Sequence, residues 1–261
     1  MSEYPDRQSS KAASWSRRTG AFSPVLLLTV WVGHHFGLVE TLAFLWVLAL
    51  VALLAALALL LAGLAFSRLW NFGARGGRDL TVGALLAMIV LVPFAVAAYW
   101  TTTYPPLKDI STDLEDPPAL AVAKDSANGT HAPTPGERRL QVQAYPLVTG
   151  RRYDLPFKET VDAVETVFAR QGWQAQGPLP SSDVNDSDAV VKAIAKSFVL
   201  ELPVDVAIRV TSEGETSYVD MRSASRYGRQ DLGDNAARIV KFLAELDQEV
   251  VGQIGTSSTA E

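Results

Sequence analysis

The chain has 261 residues, a formal net charge of −5 and no cysteine, which excludes disulfides, thiolate catalysis and cysteine-based metal sites. Residues 1–100 carry a net charge of +3 and residues 101–261 a net charge of −8, so the chain has two unlike parts. The acidic second part argues against nucleic acid as a partner, because nucleic-acid binding needs a basic surface.

Three long runs without Asp, Glu, Lys or Arg follow a polar tail of residues 1–20: residues 21–39, 41–66 and 80–100. About 20 apolar residues span the hydrocarbon core of a bilayer. Residues 21–100 are therefore predicted to form three transmembrane helices, the third with a kink at Pro93. The runs lack the ionisable residues that transporters and proton relays place inside a membrane, so we expect an anchor in the lipid bilayer.

The basic residues of the first part predict an orientation. They lie in the tail and in the connection between the second and third runs: Arg7, Lys11, Arg17, Arg18, Arg68, Arg75 and Arg78. The connection between the first and second runs has neither Lys nor Arg. The positive-inside rule therefore predicts a cytoplasmic N-terminus and a C-terminal part on the other side of the membrane.

Residues 101–140 are predicted to be an extended linker, since paired prolines oppose both helix and central strand. Within it, ISTDLEDPP at 110–118 places Asp113, Glu115 and Asp116 close together. One interpretation is a turn whose side chains bond to their own backbone. Another is a clamp for an arginine or for calcium. No pattern here specifies a metal geometry, and we predict no metal or other cofactor.

Residues 141–254 are predicted to form an α+β domain: an antiparallel meander sheet with two helices packed on one face. Residues 141–148 are interpreted as a short strand. Apolar spacing predicts a helix over 157–171 that ends at Gly172, and strands follow over 190–200, 204–211 and 218–222. Asp231 is expected to cap a last amphipathic helix, with Asp234 at its third position. Residues 255–261 are predicted to be a disordered tail.

A group of polar residues lies where the last strand, a loop and the last helix meet: Asp220, Arg222, Arg226, Arg229, Asn235 and Arg238. Arginines bind carboxylates and phosphates through two parallel hydrogen bonds, and a helix start adds a favourable dipole. One interpretation is a pocket for an anionic small molecule or a lipid head group. The other is an internal network in which Arg222 and Arg238 pair with Asp113, Glu115, Asp116 or Asp220 and fix the linker to the domain.

No catalytic residue set is predicted. The second part has one histidine, His131, in a predicted loop, which argues against Ser–His–Asp chemistry. The leading hypothesis is a domain that binds a ligand, lipid or protein partner without catalysis. The alternatives are an enzyme acting on an anionic envelope substrate, with Arg222 and Arg226 as anion clamps and Asp220 as acid/base, and an accessory subunit of a membrane complex.

Four motifs resemble the domain-of-unknown-function 1499 family: ISTDLEDPP at 110–118, Tyr145-Pro146, VAIRV at 206–210 and VDMRSASRYGRQDLGDNAARI at 219–239. The resemblance extends over residues 107–247. It implies a bacterial inner-membrane protein with a periplasmic domain, and it implies no activity. The chain departs from the family pattern before VAIRV, where Leu202-Pro-Val-Asp205 stands in place of a pair of aspartates.

Overall fold

The computed structural model describes residues 10–72, 75–121, 133–178 and 187–257. The chain divides into two compact units, Met1–Trp100 and Thr101–Glu261. Residues 1–9 of the predicted N-terminal tail, the loop with His131 and the last four residues lie outside the described residues.

The first unit consists of α1 (Lys11–His35), α2 (Thr41–Phe72) and α3 (Gly77–Thr103). Small residues let these helices approach closely. A Cβ added at Gly20 would collide with the backbone of Gly83, and the Ser16 hydroxyl donates to the carbonyl oxygen of Ala58 at 2.9 Å. The residue types at these helix contacts are therefore restricted by space.

Two helices among the described residues, α2 and α3, are long and apolar enough to cross a membrane. The helix α1 begins at Lys11, about ten residues before the predicted first span, and includes Arg17, Arg18 and Pro24. Because its first half is polar, α1 is not among the described helices that are apolar enough to cross a membrane. The structure supports two of the three predicted spans by length and composition.

The second unit is an α+β domain, as predicted. Its strands are β1 (Asp109–Ser111), β2 (Arg151–Tyr153), β3 (Gln174–Ala175), β4 (Asp188–Lys196), β5 (Pro203–Ser212) and β6 (Ser217–Ser225). Its helices are α4 (Pro135–Ala144), α5 (Phe157–Gln171) and α6 (Asp234–Ser257). All strand pairs are antiparallel, the sheet order is β1-β6-β5-β4-β3, and β2 also pairs with β6.

The core of this domain lies between the sheet and the helices α5 and α6. Alternation along β5 turns Val206 and Ile208 toward the core, where they join Met221 of β6 and Phe242 of α6. Because side chains alternate, Asp205, Ala207 and Arg209 face the opposite side of the sheet. We call that side the outer face.

The segment predicted to be an extended linker contains β1 and most of α4, and the strand predicted at 141–148 is wrong. Helix α4 begins with a capping box, in which Thr134 and Glu137 bond to each other's backbone N–H groups. Pro135 occupies the first turn, where its missing N–H costs no hydrogen bond. The proline that argued against a helix in fact begins one.

The free edge of β1 is held by one side chain of α4. The buried amide of Gln141 donates to the carbonyl oxygen of Ser111 at 2.7 Å and accepts from the Ser111 N–H at 3.3 Å. The amide therefore replaces a neighbouring strand and satisfies an edge that would otherwise be buried without partners.

Replacing Gln141 with Met should lower the free energy of unfolding of the domain by about 2–4 kcal/mol, because it leaves two buried backbone groups unpaired. Urea denaturation of the full chain in detergent micelles, followed by Trp173 fluorescence with the other tryptophans replaced by Phe, measures the change. Gln143→Met, at an exposed position of the same helix, is the matched control and should change the free energy by less than about 0.5 kcal/mol. Equal effects of the two substitutions would contradict this role of Gln141.

Candidate functional site

Residues 112–121, which we call the strap, leave β1 and cross the outer face of the sheet. Leu120 packs against Val190, Ala207 and Ala224. The carbonyl oxygen of Pro118 accepts a hydrogen bond from Arg222 at 3.3 Å. The strap therefore covers the face of the sheet that α5 and α6 leave free.

Arg209 of β5 is the centre of the contacts between strap and sheet. Its guanidinium donates to Asp113 and Asp116 of the strap, both at 2.8 Å, and to Asp220 of β6 at 3.1 Å. The side chains of Arg209 and Asp220 are only 15% and 6% exposed. The second oxygen of Asp220 accepts from the Thr112 hydroxyl at 2.7 Å. One largely buried cation thus joins two strands and the strap.

The contacts of Asp113 and Arg209 favour the charged forms of these two residues. Burial by itself would raise the pKa of Asp113, but hydrogen bonds from the backbone of Asp116 and Glu115 and from Arg209 outweigh it and lower that pKa. Burial likewise opposes the charge of Arg209, and the three carboxylates, Asp220 first, outweigh it and raise the pKa of the guanidinium. The sequence allowed Asp113 either to close a backbone turn or to bind an arginine, and it does both. One carboxylate oxygen accepts from the backbone N–H groups of Glu115 and Asp116, and the other accepts from Arg209.

Two further arginines on the outer face have one dedicated carboxylate each. Arg222 donates two hydrogen bonds to Asp109, at 2.9 and 2.7 Å, and Arg226 donates two to Asp205, at 2.9 and 2.6 Å. Both are the two-point geometry in which a guanidinium binds a carboxylate most strongly. The anion-binding groups of both arginines are therefore directed at residues of the domain itself.

The predicted pairing of Arg222 and Arg238 with Asp113, Glu115, Asp116 or Asp220 was wrong. The register of β1 and β6 places Asp109 diagonally across from Arg222 on one face, where a long side chain reaches it. Asp113 and Asp116 are bound by Arg209 instead. Glu115, which is exposed, pairs with Arg138 of α4 at 2.8 Å.

Arg238 and Asn235 belong to a second network on the helix side of the sheet. Arg238 donates to Asp234, to Asn235 and to the carbonyl oxygen of Lys196, at 2.7, 2.9 and 3.0 Å. The fully buried Asn235 accepts from the Ser223 hydroxyl at 2.8 Å and donates to the carbonyl oxygen of Lys108 at 2.8 Å. The sheet separates this network from Arg222 and Arg226.

Asp231 caps the last helix, but the helix begins at a later residue than predicted. Its carboxylate accepts from the backbone N–H of Gly233 at 3.1 Å and of Asn235 at 2.7 Å, and burial raises its pKa. The helix begins at Asp234 rather than directly after Asp231. The offset arises because Leu232 and Gly233 adopt left-handed backbone conformations, with φ of 56° and 86°.

The six residues predicted to form one group therefore occupy three places. Asp220, Arg222 and Arg226 are on the outer face, and Asn235 and Arg238 are behind the sheet. Arg229 lies in the exposed loop before α6 and forms no ion pair with any residue that the structure describes.

Sequence reasoning missed Arg209 as a site residue, although a signal for it existed. The turn between β5 and β6 pairs Ser212 with Ser217, and this register places Arg209 directly opposite Asp220. Counting inward from that turn along both predicted strands is enough to bring the two charges together.

An open cavity of about 380 Å³ lies beside Arg209 and is lined by Asp116, Ser187, Asp188, Arg209, Thr211 and Ser212. Its one cation is already bound by carboxylates, so its lining favours a polar, uncharged or cationic group over an anion. Across the described ranges, no group of three or more His, Asp or Glu residues is arranged to hold a metal ion.

These features define a class of protein: an α+β domain with a strapped antiparallel sheet that follows a unit of long apolar helices. The family model for "Protein of unknown function (DUF1499)" matches residues 109–246, and the chain belongs to this family. The resemblance inferred from the motifs is thereby confirmed.

The search of curated proteins found no match. A solved structure, CalU16 from Micromonospora echinospora, aligns at 16% identity and a TM-score of 0.28, covering 42% of this chain and 79% of that one.

Replacing Arg209 with Met should lower the free energy of unfolding by about 3–5 kcal/mol, because Asp220 would stay buried without its cation. The denaturation assay of the single-Trp173 chain measures this loss. Arg152→Met is the matched control: it removes an exposed ion pair with Glu213 in the turn between β5 and β6 and should cost less than about 1 kcal/mol. Similar losses for the two variants would show that Arg209 has no special role.

Acid should remove the contribution of Asp113 to stability. Because its folded pKa lies below that of a free aspartate, about 3.9, the contribution is complete above that value and is lost as the pH falls through the folded pKa. The difference in unfolding free energy between wild type and Asp113→Asn should therefore shrink between pH 7 and pH 2. A difference that is independent of pH would contradict the assignment.

Proposed function

We propose that this chain is a bacterial inner-membrane protein with three spans, a cytoplasmic N-terminus and a periplasmic α+β domain that binds a partner without catalysis. The single observation that carries the non-catalytic part is the state of the polar side chains. Asp220, Arg222 and Arg226 are engaged with partners inside the domain; the first two are buried, and the Arg226 side chain is 15% exposed.

The contacts of these residues oppose the enzymatic alternative. A general acid or base must reach a substrate proton within hydrogen-bond distance. Both oxygens of Asp220 are already occupied, one by Thr112 and one by Arg209. An anion clamp needs free N–H groups, whereas Arg222 and Arg226 direct theirs at Asp109 and Asp205. Catalysis there would require breaking buried ion pairs, which is costly.

The same contacts also argue against a binding site for an anionic ligand at the Arg222–Asp109 and Arg226–Asp205 pairs. An anionic ligand would have to displace carboxylates that are covalently part of the domain and therefore present at high effective concentration. The exposed surface of the domain is the better candidate for contact with a partner.

The membrane part of the proposal rests on the apolar helices and the basic residues around them. The helices α2 and α3 are long enough to span a bilayer. If the connection with Arg75 is cytoplasmic, the positive-inside rule places the domain after α3 in the periplasm, and it favours α1 as a third span with Arg17 and Arg18 on the cytoplasmic side.

Fusion and labelling experiments in bacteria test this topology. Alkaline phosphatase, which is active only in the periplasm, should be active when fused after Trp100 and inactive when fused after Arg75. The chain has no cysteine, so a single cysteine at the exposed position Lys11 reports on α1. A membrane-impermeant maleimide should not label Lys11→Cys in intact cells, and it should label it once the cells are opened. Labelling in intact cells would show that α1 does not span, and an inactive fusion after Trp100 would overturn the periplasmic placement.

A turnover experiment tests the absence of catalysis. Purified full-length protein in detergent is incubated with an envelope extract, and the products are followed by mass spectrometry beside Asp220→Asn. We expect wild type and variant to leave the extract equally unchanged. Conversion by the wild type that the variant abolishes would favour the enzyme instead.

A further inference from the structure

The turn between β4 and β5, residues 197–202, presents apolar side chains to solvent; we call it the apolar turn. Phe198 is 89% exposed and Val199 is 51% exposed. Hydrogen bonds hold the turn in shape, from the Ser197 N–H to the carbonyl oxygen of Leu202 at 2.8 Å and from the Glu201 N–H to that of Ser197 at 3.1 Å. The ordered turn therefore presents an aromatic and a β-branched side chain together to solvent.

The apolar turn lies at the end of the sheet where the chain enters the domain from α3. Arg238 donates to the carbonyl oxygen of Lys196, at the base of the turn, and also contacts Asn235. Asn235 in turn donates to the carbonyl oxygen of Lys108. Two side chains thus connect the base of the apolar turn to the segment that follows α3.

The length of the chain limits how far this end of the sheet can lie from the end of α3. Helix α3 ends at Thr103, and five residues later Lys108 belongs to the domain. Five residues span at most about 18 Å. If α3 crosses the bilayer, as the proposed function holds, this end of the sheet must lie close to the membrane surface.

The opposite end of the sheet has a different character. The turn between β5 and β6, residues 213–216, carries Glu213 and Glu215, both exposed, and no apolar side chain. Each turn also has one ion-paired acid, Glu201 with Lys196 at 2.8 Å and Glu213 with Arg152 at 2.9 Å. The two hairpin turns therefore differ in what they expose, apolar side chains near the end of α3 and the carboxylate of Glu215 at the far end. This difference matches a domain with one end on a lipid surface, because the interface accepts aromatic rings and anionic head groups repel carboxylates.

We propose that the apolar turn docks on the surface of the bilayer, with Phe198 and Val199 entering the interfacial layer. Arg229, in the exposed loop of the same end, contacts lipid phosphate groups. The loop is placed there by a hydrogen bond from the Arg226 N–H to the carbonyl oxygen of Pro203, the first residue of β5. The anchor and the apolar turn would hold the domain at two points and fix its orientation on the membrane.

Site-specific fluorescence on the full-length chain tests this contact. Single cysteines replace Val199, Glu215 and Leu53, each is labelled with an environment-sensitive dye, and the protein is reconstituted in vesicles of phosphatidylethanolamine and phosphatidylglycerol. Lipids with a nitroxide near the head group then quench any dye at the interface. We expect several-fold stronger quenching at position 199 than at position 215, and Phe198→Ser should reduce the quenching at 199. Phe198 is exposed, so this substitution should leave the fold intact.

The third label separates this inference from the proposed function. Leu53 is exposed on α2, and a dye there should show a lipid environment if α2 spans the bilayer. A dye at 53 in lipid together with an unquenched dye at 199 would overturn the docking and leave the anchor standing. A dye at 53 in water would overturn both. A shielded but unquenched dye at 199 would show that a protein, such as a second copy, covers the turn, which also overturns lipid docking.

Discussion

The arrangement of the outer face of the domain depends on the ion pairs of the Arg209 guanidinium. A charge with little access to solvent is stable in a protein only when opposite charges and hydrogen bonds replace the water it has lost. Here Asp220 supplies one carboxylate from the neighbouring strand, and the strap supplies Asp113 and Asp116. The strap in turn places Leu120 on the sheet. The ion pairs that stabilise the Arg209 cation therefore also hold the strap over the outer face of the sheet.

The parts of the fold that local patterns encode could be predicted from the sequence. Helix α5 agrees with its prediction at both ends, because the apolar spacing and Gly172 are local signals. Strand β5 was found from alternation and β4 from its β-branched residues, although the strand predicted to reach residue 200 ends at Lys196. Helix α4 was missed because a proline at a helix start and a proline that breaks a helix are the same residue, and only the capping box around Thr134 distinguishes them.

The candidate site was harder to predict because its contacts are made across strands. Asp109 and Arg222 are more than one hundred positions apart, and only the pairing of β1 with β6 brings them together. The grouping of six polar residues in sequence suggested one site, yet the sheet divides them. Residues close in sequence at the end of a strand can point to opposite faces, so proximity along the chain was a poor guide to proximity in space.

The close match of arginines to carboxylates also affects how the domain can change during evolution. Each of Arg222 and Arg226 has its own acidic partner, so loss of either member leaves a buried charge of the other sign. Substitutions at these positions are expected to occur in pairs or to be rejected.

The amide of Gln141 on the edge of β1 has a mechanical consequence. The chain enters the domain through residues 104–108 and continues directly into β1. Any pulling force transmitted along that entry, from membrane motion or from a bound partner, reaches β1 before the other strands. The hydrogen bonds to β6 on one edge and to Gln141 on the other resist the load together. Strand β1, which directly follows residues 104–108, is thus hydrogen-bonded along both edges. This arrangement lets the domain resist tension at its point of attachment.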